Sequence, residues 1–460
     1  MNSQDERPEP SDLRLPPGPD SPRLINGLRF LFARNRSVRA WHGTYGDVFK
    51  LEVPRLGTVV CVRGPELNKR VFTAKADVLH GGDNPLGDVL GPGSLFSLDE
   101  DAHLTERRKL LPPFHGERMR SYEALIEEEA VREMDGWKSG QEFPTLGSFN
   151  TITLRIILRA VFGAEGPELK ELQAILPGMT KLGQWMVAAP FLRRNLGPWS
   201  PGARADRYLV RYREIIDTLI DEHLADPALD ERIDILALML RADLESGDEI
   251  DRESVADELL TLLVAGHETT ASSLAWTVER VRRHPDVLRR LQEEAATDDN
   301  AFRTAVVNEV LRIRPVIGFT GRTVVKAPFE LGEWRLPAGV RILAGIKAIH
   351  EDDRFHTAAD TFDPDRYLGK KPDTYSWVPF GGGMRRCLGA AFAQFEMDIV
   401  LRTMLRRFEL ATSEAPPERE SFRGLAFAPS KGALAVVRRR PEPVAGQEAA
   451  DRGAATARAA

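Results

Sequence analysis

The residues with the clearest chemical potential lie in one glycine-rich stretch, residues 377–391. Pro379 and the glycines that follow it disfavour a helix or a regular strand and predict a tight loop that another surface can approach closely. Cys387 lies where this loop ends, and apolar residues at helical spacing from 388 to 408 predict a helix beginning beside it. Unpaired N–H groups at a helix N-terminus, together with Arg385 and Arg386, favour a thiolate, which is both a nucleophile and a metal ligand.

Several roles compete for Cys387. A lone cysteine is most often a buried, inert small hydrophobe. A nucleophile would need a histidine base, and none lies nearby in the sequence, although a distant one could fold in. A phosphate loop is disfavoured because the GxGxxG spacing fails at Arg386. A single thiolate on a glycine-rich loop, seven positions after Phe380, suits an axial ligand of a large flat metallo-cofactor.

The pattern Phe380-x-x-Gly383-x-Arg385-x-Cys387-x-Gly389 resembles the haem-binding signature of the cytochrome P-450 family at every fixed position. The resemblance implies that Cys387 is the proximal ligand of a haem b iron. It also implies that Phe380 packs against the thiolate side, that Arg385 pairs with a haem propionate, and that Gly383 and Gly389 belong to the cofactor-binding loop.

A second stretch with unusual residues lies inside a long helix predicted over roughly 251–283, which is apolar around most of its circumference and ends at Pro285. Gly266 costs about 1 kcal/mol against alanine in a helix interior, and Thr269 and Thr270 can bond back to preceding carbonyls. These features predict a locally distorted helix. A kinked structural helix is the simplest explanation from the residues alone.

The same stretch, Ala265-Gly266-His267-Glu268-Thr269-Thr270, resembles the oxygen-activation motif of the family. The resemblance implies that Ala265 and Gly266 border a widened groove for dioxygen and that Thr269 hydrogen-bonds the dioxygen. Glu268 would supply protons through waters. His267 occupies a variable position and is expected to be a packed or solvated side chain.

His103 and Arg107 are spaced to share one face of a helix. Alone, such a pair is usually a solvated surface. It also resembles the His-x-x-x-Arg pair that binds the haem propionates in many soluble members, and the resemblance gives Arg322 the same role. The segment 103–116 is similar to one bacterial branch of the family.

Glu309 and Arg312 form an i, i+3 pair that is uninformative by itself. With Arg366 it resembles the family's Glu-x-x-Arg network, which implies a buried structural role in fixing the cysteine loop.

Composition limits the class of protein. The chain has 460 residues, of which 42% are hydrophobic and 29% charged, with a net charge of −6 that gives no basis for nucleic-acid binding. Two cysteines allow no disulfide framework and fit a reducing cytoplasm. No apolar run approaches the ~20 residues of a spanning helix, so no stable membrane anchoring is expected. We expect a monomer.

The expected fold class is mainly α with a small β-rich lobe, and the resemblance implies the cytochrome P-450 fold. We predict a disordered proline-rich N-terminus over 1–20, a single monooxygenase domain over 21–437 and a disordered tail over 438–460. The β-rich lobe is expected to combine strands within 46–62 with segments around 316–345 and 420–438.

The resemblance implies a monooxygenase that inserts one oxygen atom from O2 into a lipophilic substrate by hydroxylation or epoxidation. A fatty acid, a terpene or another secondary metabolite is expected. No flavin or nicotinamide module fits in the chain, so electrons would come from a ferredoxin and its reductase. A basic face for such a donor is predicted from Arg107, Arg108, Lys109, Lys370, Lys371 and Arg386.

Two other functions stay open at this stage. A peroxide-driven haem enzyme of the same fold would be expected to lack the Glu268 and Thr269 pair. A haem-based gas sensor or carrier would bind its ligand without turnover.

Overall fold

A computed structural model describes residues 13–32, 34–54, 56–82, 86–114, 116–163, 166–247 and 249–441. Helices dominate these ranges, as the sequence predicts. The α-helices are α1 (Arg23–Phe32), α2 (Arg34–Tyr45), α3 (Pro65–Phe72), α4 (Gly87–Leu90), α5 (Glu100–Leu110), α6 (Glu117–Ser121), α7 (Glu123–Met134), α8 (Thr145–Phe162), α9 (Pro167–Ala188), α10 (Pro201–Ala225), α11 (Ile235–Ser246), α12 (Arg252–Val281), α13 (Pro285–Ala295), α14 (Ala301–Ile313), α15 (Ile346–His350) and α16 (Ala390–Arg407).

The strands are short and are distributed among the helices along the chain. They are β1 (Val48–Val53), β2 (Gly57–Val62), β3 (Leu79–His80), β4 (Glu142–Pro144), β5 (Phe319–Val324), β6 (Phe329–Leu331), β7 (Trp334–Leu336), β8 (Arg341–Gly345), β9 (Phe408–Leu410), β10 (Glu420–Phe422), β11 (Phe427–Pro429) and β12 (Leu434–Arg439).

The β-rich lobe is a five-stranded sheet in the order β1-β2-β8-β5-β3. β1 and β2 form an antiparallel hairpin, and β2 pairs in parallel with β8, with Val60 opposite Ile342. The strands predicted within 46–62 and 316–345 therefore join one sheet. Cys61 is fully buried in β2, which confirms the core position expected for it.

The third predicted part of this lobe, 420–438, was placed wrongly. β10 and β11 form a separate hairpin, while β12 pairs with β4 and β9. Ala435 and Val437 of β12 belong to the main hydrophobic core of the helical body. Three-residue strands such as β4 and β9 are set by pairing with distant segments, so their own sequence predicts them poorly.

Both predicted disordered ends extend too far into the chain. Residues 13–20 are hydrogen-bonded to the β-rich lobe. Arg14 and Arg335 exchange backbone hydrogen bonds of 3.0 and 2.9 Å, and Lys50 N donates to Pro17 O over 2.8 Å. Arg439 ends a paired strand. The rest of the predicted disorder, 1–12 and 442–460, lies outside the described residues.

The long central helix is confirmed and positions the site. Asp251 caps α12 by accepting hydrogen bonds from Glu253 N at 3.1 Å and Ser254 N at 3.2 Å, and Pro285 begins the next helix. Side chains on all sides of α12 are buried from Val255 to Val281, except at its centre. α8 packs along it within the main core.

No helix in the described ranges combines the length and the apolar composition that crossing a bilayer requires.

Candidate active site

The cysteine loop is a series of tight turns that ends at α16. Gly383–Arg385 forms one turn of 3-10 helix, and Cys387 N donates to Phe380 O over 2.9 Å, which closes the loop. Gly383 has a φ of 67°, and a Cβ there would lie 1.9 Å from the carbonyl oxygen of Phe72. Only glycine fits this close approach. The position of Cys387 just before a helix N-terminus is therefore confirmed, with Gly389 as the N-cap.

The expected thiolate stays a prediction, because the protein environment acts on the thiol of Cys387 in opposite directions. The side chain of Cys387 is accessible to solvent, yet protein surrounds it on most sides, so the thiol lies in a recess. This burial raises the pKa of Cys387. It outweighs the Gly389 N–H directed at the sulfur and the charges of Arg107 and Arg386. A metal cation would reverse the balance, because a coordinated thiol loses its proton.

Cationic side chains converge beside the loop. Arg322, Arg385 and His103 line one recess with Asp99, the carboxylate that pairs with Arg385. Burial, followed by repulsion from Arg385, lowers the pKa of Arg322 to about 10. Burial and the neighbouring arginines lower the pKa of His103 to about 4, so His103 is a neutral hydrogen-bonding group near pH 7. The recess therefore holds two guanidiniums beside the carboxylates of Asp99 and Glu100, and guanidiniums suit the acid groups of an anionic ligand.

Arg107 contacts the cysteine loop directly. Its Nη2 atom donates to the carbonyl oxygen of Arg386 over 2.7 Å, so it braces the cysteine loop, while His103 lies buried beside Arg385. Arg385 is itself fixed by donating to the carbonyls of Leu95, at 2.8 Å, and Leu98.

These residues fit a haem on their own chemistry. The thiol of Cys387 is accessible, the recess beside it holds two arginines, and a Cβ added at Gly389 would meet no atom of the described chain within 4 Å. A flat dianionic cofactor needs a soft axial ligand, cations for its acid groups and close backbone approach, and this part of the chain provides all three.

The centre of α12 is the part of that helix that keeps some exposure. Between Val255 and Val281, half-buried side chains occur only at Val264, Ala265, Gly266, Glu268 and Thr269. The Thr269 hydroxyl donates to Ala265 O over 2.7 Å, and the Thr270 hydroxyl donates to Gly266 O over 3.1 Å. The predicted back-bonding is confirmed. The helix nevertheless continues unbroken through this segment.

Gly266 has a packing role that the sequence did not reveal. A Cβ there would lie 3.2 Å from Ile157 of α8, so the glycine lets the two helices approach. His267 is buried, its Nδ1 lies 2.6 Å from Leu263 O, and its own carbonyl accepts a hydrogen bond from Thr153. It is a packed side chain, as expected.

Glu268 is half-buried and paired. Gln184 of α9 donates its amide to Glu268 Oε2 over 2.6 Å. Burial raises the pKa of Glu268, and the hydrogen bond from Gln184 and the charge of Arg423 oppose that shift only in part. The raised pKa makes this carboxyl a better proton acceptor than an ordinary exposed glutamate.

Glu396 of α16 was missed by the sequence analysis. It is buried with its carboxyl beside the side chain of Thr270, and burial raises its pKa well above the usual value. This contact joins the helix that follows Cys387 to the oxygen-motif segment of α12. The sequence around Glu396 does not predict this contact, because Thr270 lies on a distant segment of the chain.

The predicted Glu309 network is present and reaches further than expected. Arg312 and Glu309 form a fully buried bidentate pair with contacts of 2.7 and 2.8 Å, and Arg366 lies 3.5 Å from Glu309. Arg312 also donates to the carbonyls of His350, Ala359 and Thr361.

His350 continues the network into the cysteine loop. Val378 N donates to His350 Nε2 over 2.9 Å, so Nε2 is an acceptor and Nδ1–H donates to Arg312 O over 3.0 Å. Burial lowers the pKa of His350 well below its usual value and keeps the ring neutral. His356, which the sequence grouped with a polar acidic loop, is also buried and bonds to Ser376 O at 3.1 Å.

A second missed feature is a pair of hydrogen bonds between α12 and the segment 91–98, which we call the latch. Leu95 N donates to Glu258 Oε2 over 2.7 Å, and Thr261 donates to Ser94 over 2.7 Å. The Leu95 carbonyl is the one that Arg385 binds. The segment thus connects α12 to the arginine cluster. Burial raises the pKa of Glu258 to about 8.

This chain combines a helical body and a small β-rich lobe with a recessed cysteine beside an arginine cluster. That combination is typical of the haem-dependent oxidoreductases. The sequence model of the family described as Cytochrome P450 matches residues 16–436. The chain therefore belongs to the cytochrome P450 family, whose members are haem monooxygenases.

Relatives and a solved structure agree with this membership. The chain is 46% identical over 433 residues to "Putative cytochrome P450 138" of Mycobacterium bovis, covering 94% of this chain and 98% of the relative. It is 37% identical to "Putative cytochrome P450 137" of Mycobacterium tuberculosis, covering 92% and 91%. The structure titled "Retinoic acid bound cyanobacterial CYP120A1" superposes with a TM-score of 0.79 at 21% identity, covering 93% of this chain and 100% of that one. The predicted fold is confirmed.

Replacing Arg312 by lysine tests the buried network. Lysine keeps the charge but cannot reach Glu309 and three carbonyls together, so about 3 kcal/mol of unfolding free energy should be lost. Arg290→Lys is the matched control, because Arg290 forms a bidentate pair with Asp365 nearer the surface and should cost less than about 1 kcal/mol. Urea unfolding of both variants measures the difference. Equal losses would contradict a special role for Arg312.

Replacing Glu258 by glutamine tests the latch through pH. The native carboxyl resists ionisation up to about pH 8, whereas the unfolded one ionises near its usual pKa of 4.5. Wild-type stability should therefore fall relative to E258Q as pH rises between these values, by at most about 1.4 kcal/mol per unit. Urea midpoints from pH 5 to 9 measure this. Glu253→Gln, an exposed change on the same helix, should show no such trend. A stability difference between wild type and E258Q that does not change with pH would contradict the raised pKa of Glu258.

Proposed function

We propose that this chain is a haem-thiolate monooxygenase that inserts one oxygen atom from O2 into a lipophilic substrate, with electrons from separate redox proteins. One observation carries the proposal. An accessible thiol lies in a recess before α16, and that helix packs against α12, with Glu396 beside Thr270 in the segment bearing Glu268 and Thr269. A metal ligand and a proton-handling segment are thereby built onto two joined helices.

The cofactor we propose is haem b. Cys387 would supply its axial thiolate, with Phe380 beside it and Gly383 and Gly389 allowing the loop to approach. Arg322, Arg385 and His103 would bind the propionates, and Arg107 would support them from the loop side. When bound, the haem supplies the redox chemistry that activates O2 for insertion into a C–H or C=C bond.

Thr269 and Glu268 would handle protons. The Thr269 hydroxyl spends its one hydrogen on Ala265 O, so towards the site it offers lone pairs that can accept a hydrogen bond from a water. Glu268, with its raised pKa and its amide partner Gln184, can deliver a proton to that water and be recharged from solvent. Ala265 and Gly266 would border the O2 position.

A lipophilic substrate is supported by apolar side chains that stay partly exposed around these elements. Leu95, Phe96, Val264 and Ile317 are such residues, all packed against the main core. The structural neighbour is titled as bound to retinoic acid, itself a lipophilic compound. We propose a fatty acid, a terpene or a related secondary metabolite as the substrate class.

Electrons would come from a ferredoxin reduced by its reductase. Arg108, Lys370, Lys371 and Arg386 are exposed and would attract an acidic donor to the cysteine side of the molecule. Lys109, which was also predicted for this face, pairs with Asp243 at 2.7 Å and with Glu106 at 3.0 Å. We place the enzyme in the cytoplasm, in keeping with two free cysteines.

Replacing Cys387 by alanine tests the ligand. The variant should lose the absorbance that marks thiolate ligation in the reduced, carbon-monoxide-bound difference spectrum, because no other thiol lies on this loop, where Met384 has only a thioether. Cys61→Ala is the matched control. Cys61 is fully buried and burial raises its pKa to about 12, so its removal should leave the spectrum unchanged. A thiolate spectrum that survives in C387A would overturn the proposal.

Replacing Thr269 by alanine tests proton handling. Loss of the hydroxyl should divert reducing equivalents to hydrogen peroxide, several-fold above wild type, because the proton-carrying water is no longer positioned. Peroxide formed per NAD(P)H consumed is measured with a surrogate ferredoxin system and a compound that shifts the Soret band. Thr269→Ser restores the hydroxyl and should restore coupling. An absence of turnover in wild type would favour a gas-binding role.

A further inference from the structure

One stretch of the surface exposes several large apolar side chains together. Trp185, Phe191, Leu196 and Trp199 have exposed fractions of 60, 62, 80 and 92%. Trp199 is the most exposed large apolar side chain among the described residues. Single exposed hydrophobic residues are ordinary, whereas a cluster marks an interaction surface. We call residues 185–199 the apolar corner.

Hydrogen bonds and backbone packing order the end of the apolar corner that adjoins α10. Leu196 N donates to Ser200 Oγ over 3.1 Å, and that hydroxyl donates to Gly197 O over 2.7 Å. Gly202 packs against the backbone of Arg193 and Arg194, where a Cβ would lie 2.5 to 2.6 Å from their carbonyl oxygens. A surface ordered in advance loses little conformational entropy when it binds.

Basic residues are frequent within and beside the apolar corner in the sequence. Residues 181–211 contain six lysines and arginines and one acidic residue, although the whole chain carries a net charge of −6. Lys181, Arg194, Arg204 and Arg207 make no side-chain hydrogen bond or ion pair with any residue that the structure describes. Their charges are therefore available to an external partner.

We propose that the apolar corner docks on the surface of an anionic lipid bilayer. Tryptophan and leucine side chains suit the boundary between headgroups and acyl chains, and lysine and arginine suit anionic headgroups. A second copy of this chain fits less well, because it would bring two cationic surfaces together. The docking is peripheral and reversible.

Docking here would present the substrate side of the proposed site to the bilayer. Trp185 follows Gln184, whose amide binds Glu268, and Gly424 of the β10–β11 turn packs against Gln184. The apolar corner thus begins one residue from a side chain that contacts the α12 segment. Delivery of a lipophilic substrate from the bilayer rests on the proposed function, whereas the docking itself does not.

Flotation of the haem-loaded chain with lipid vesicles tests the proposal. Wild type should float with phosphatidylcholine vesicles that contain phosphatidylglycerol and should bind pure phosphatidylcholine far more weakly. The double variant L196S/W199S should lose at least about tenfold in binding, since each side chain gives up apolar burial. R204Q/R207Q should lose about tenfold on the anionic vesicles only. Leu244→Ser, an equally superficial change on α11, should bind as wild type does.

Two outcomes would overturn the docking. The first is that wild type binds neither kind of vesicle. This outcome includes a wild-type dimer that L196S/W199S converts into a monomer, and a wild type that retains only an acidic protein. The other is anionic-vesicle binding unchanged in both double variants. The thiolate spectrum separates this test from the proposed function: it should persist in L196S/W199S, and its absence in wild type would overturn the function while leaving the vesicle result intact.

Discussion

The buried guanidinium of Arg312 is the constraint on which the cysteine loop depends. Removing a charge from water costs several kcal/mol, and this cost is offset only when the group is paired and its donors are satisfied. Arg312 meets both conditions, through Glu309 and three backbone carbonyls. Because its own carbonyl orients His350, whose free nitrogen receives Val378 N–H, the position of one helix is transmitted to the loop that carries Cys387.

Burial sets the protonation of the site in one consistent direction. It raises the pKa of Cys387, Glu268 and Glu396 and lowers that of His103, so each of these groups is pushed towards its neutral form. The arginines stay charged, because even the pKa of Arg322, lowered to about 10, lies above neutrality. A site that combines an uncharged His103 with the guanidiniums of Arg322 and Arg385 suits an anionic cofactor that brings its own metal charge.

Features with a local pattern could be predicted from the sequence, and features made by distant contacts could not. The apolar circumference of α12 and the glycines of the cysteine loop are local, and both elements were found. The raised pKa of Glu258 depends on the fold of segment 91–98, and β12 depends on pairing with β4 and β9. The thiol of Cys387 shows the same division, since the charges near it are visible in the sequence and the protein that packs around it is not.

The apolar corner and the α12 segment have opposite relations to water, and Gln184 lies next to both. Large exposed apolar side chains such as Trp199 favour contact with another phase or partner. At Glu268 water must be limited, because a carboxyl open to solvent would return to its usual pKa. The amide of Gln184 pairs with Glu268, while the neighbouring Trp185 is exposed. The end of α9 therefore connects the surface proposed to meet the bilayer with the carboxyl proposed to handle protons.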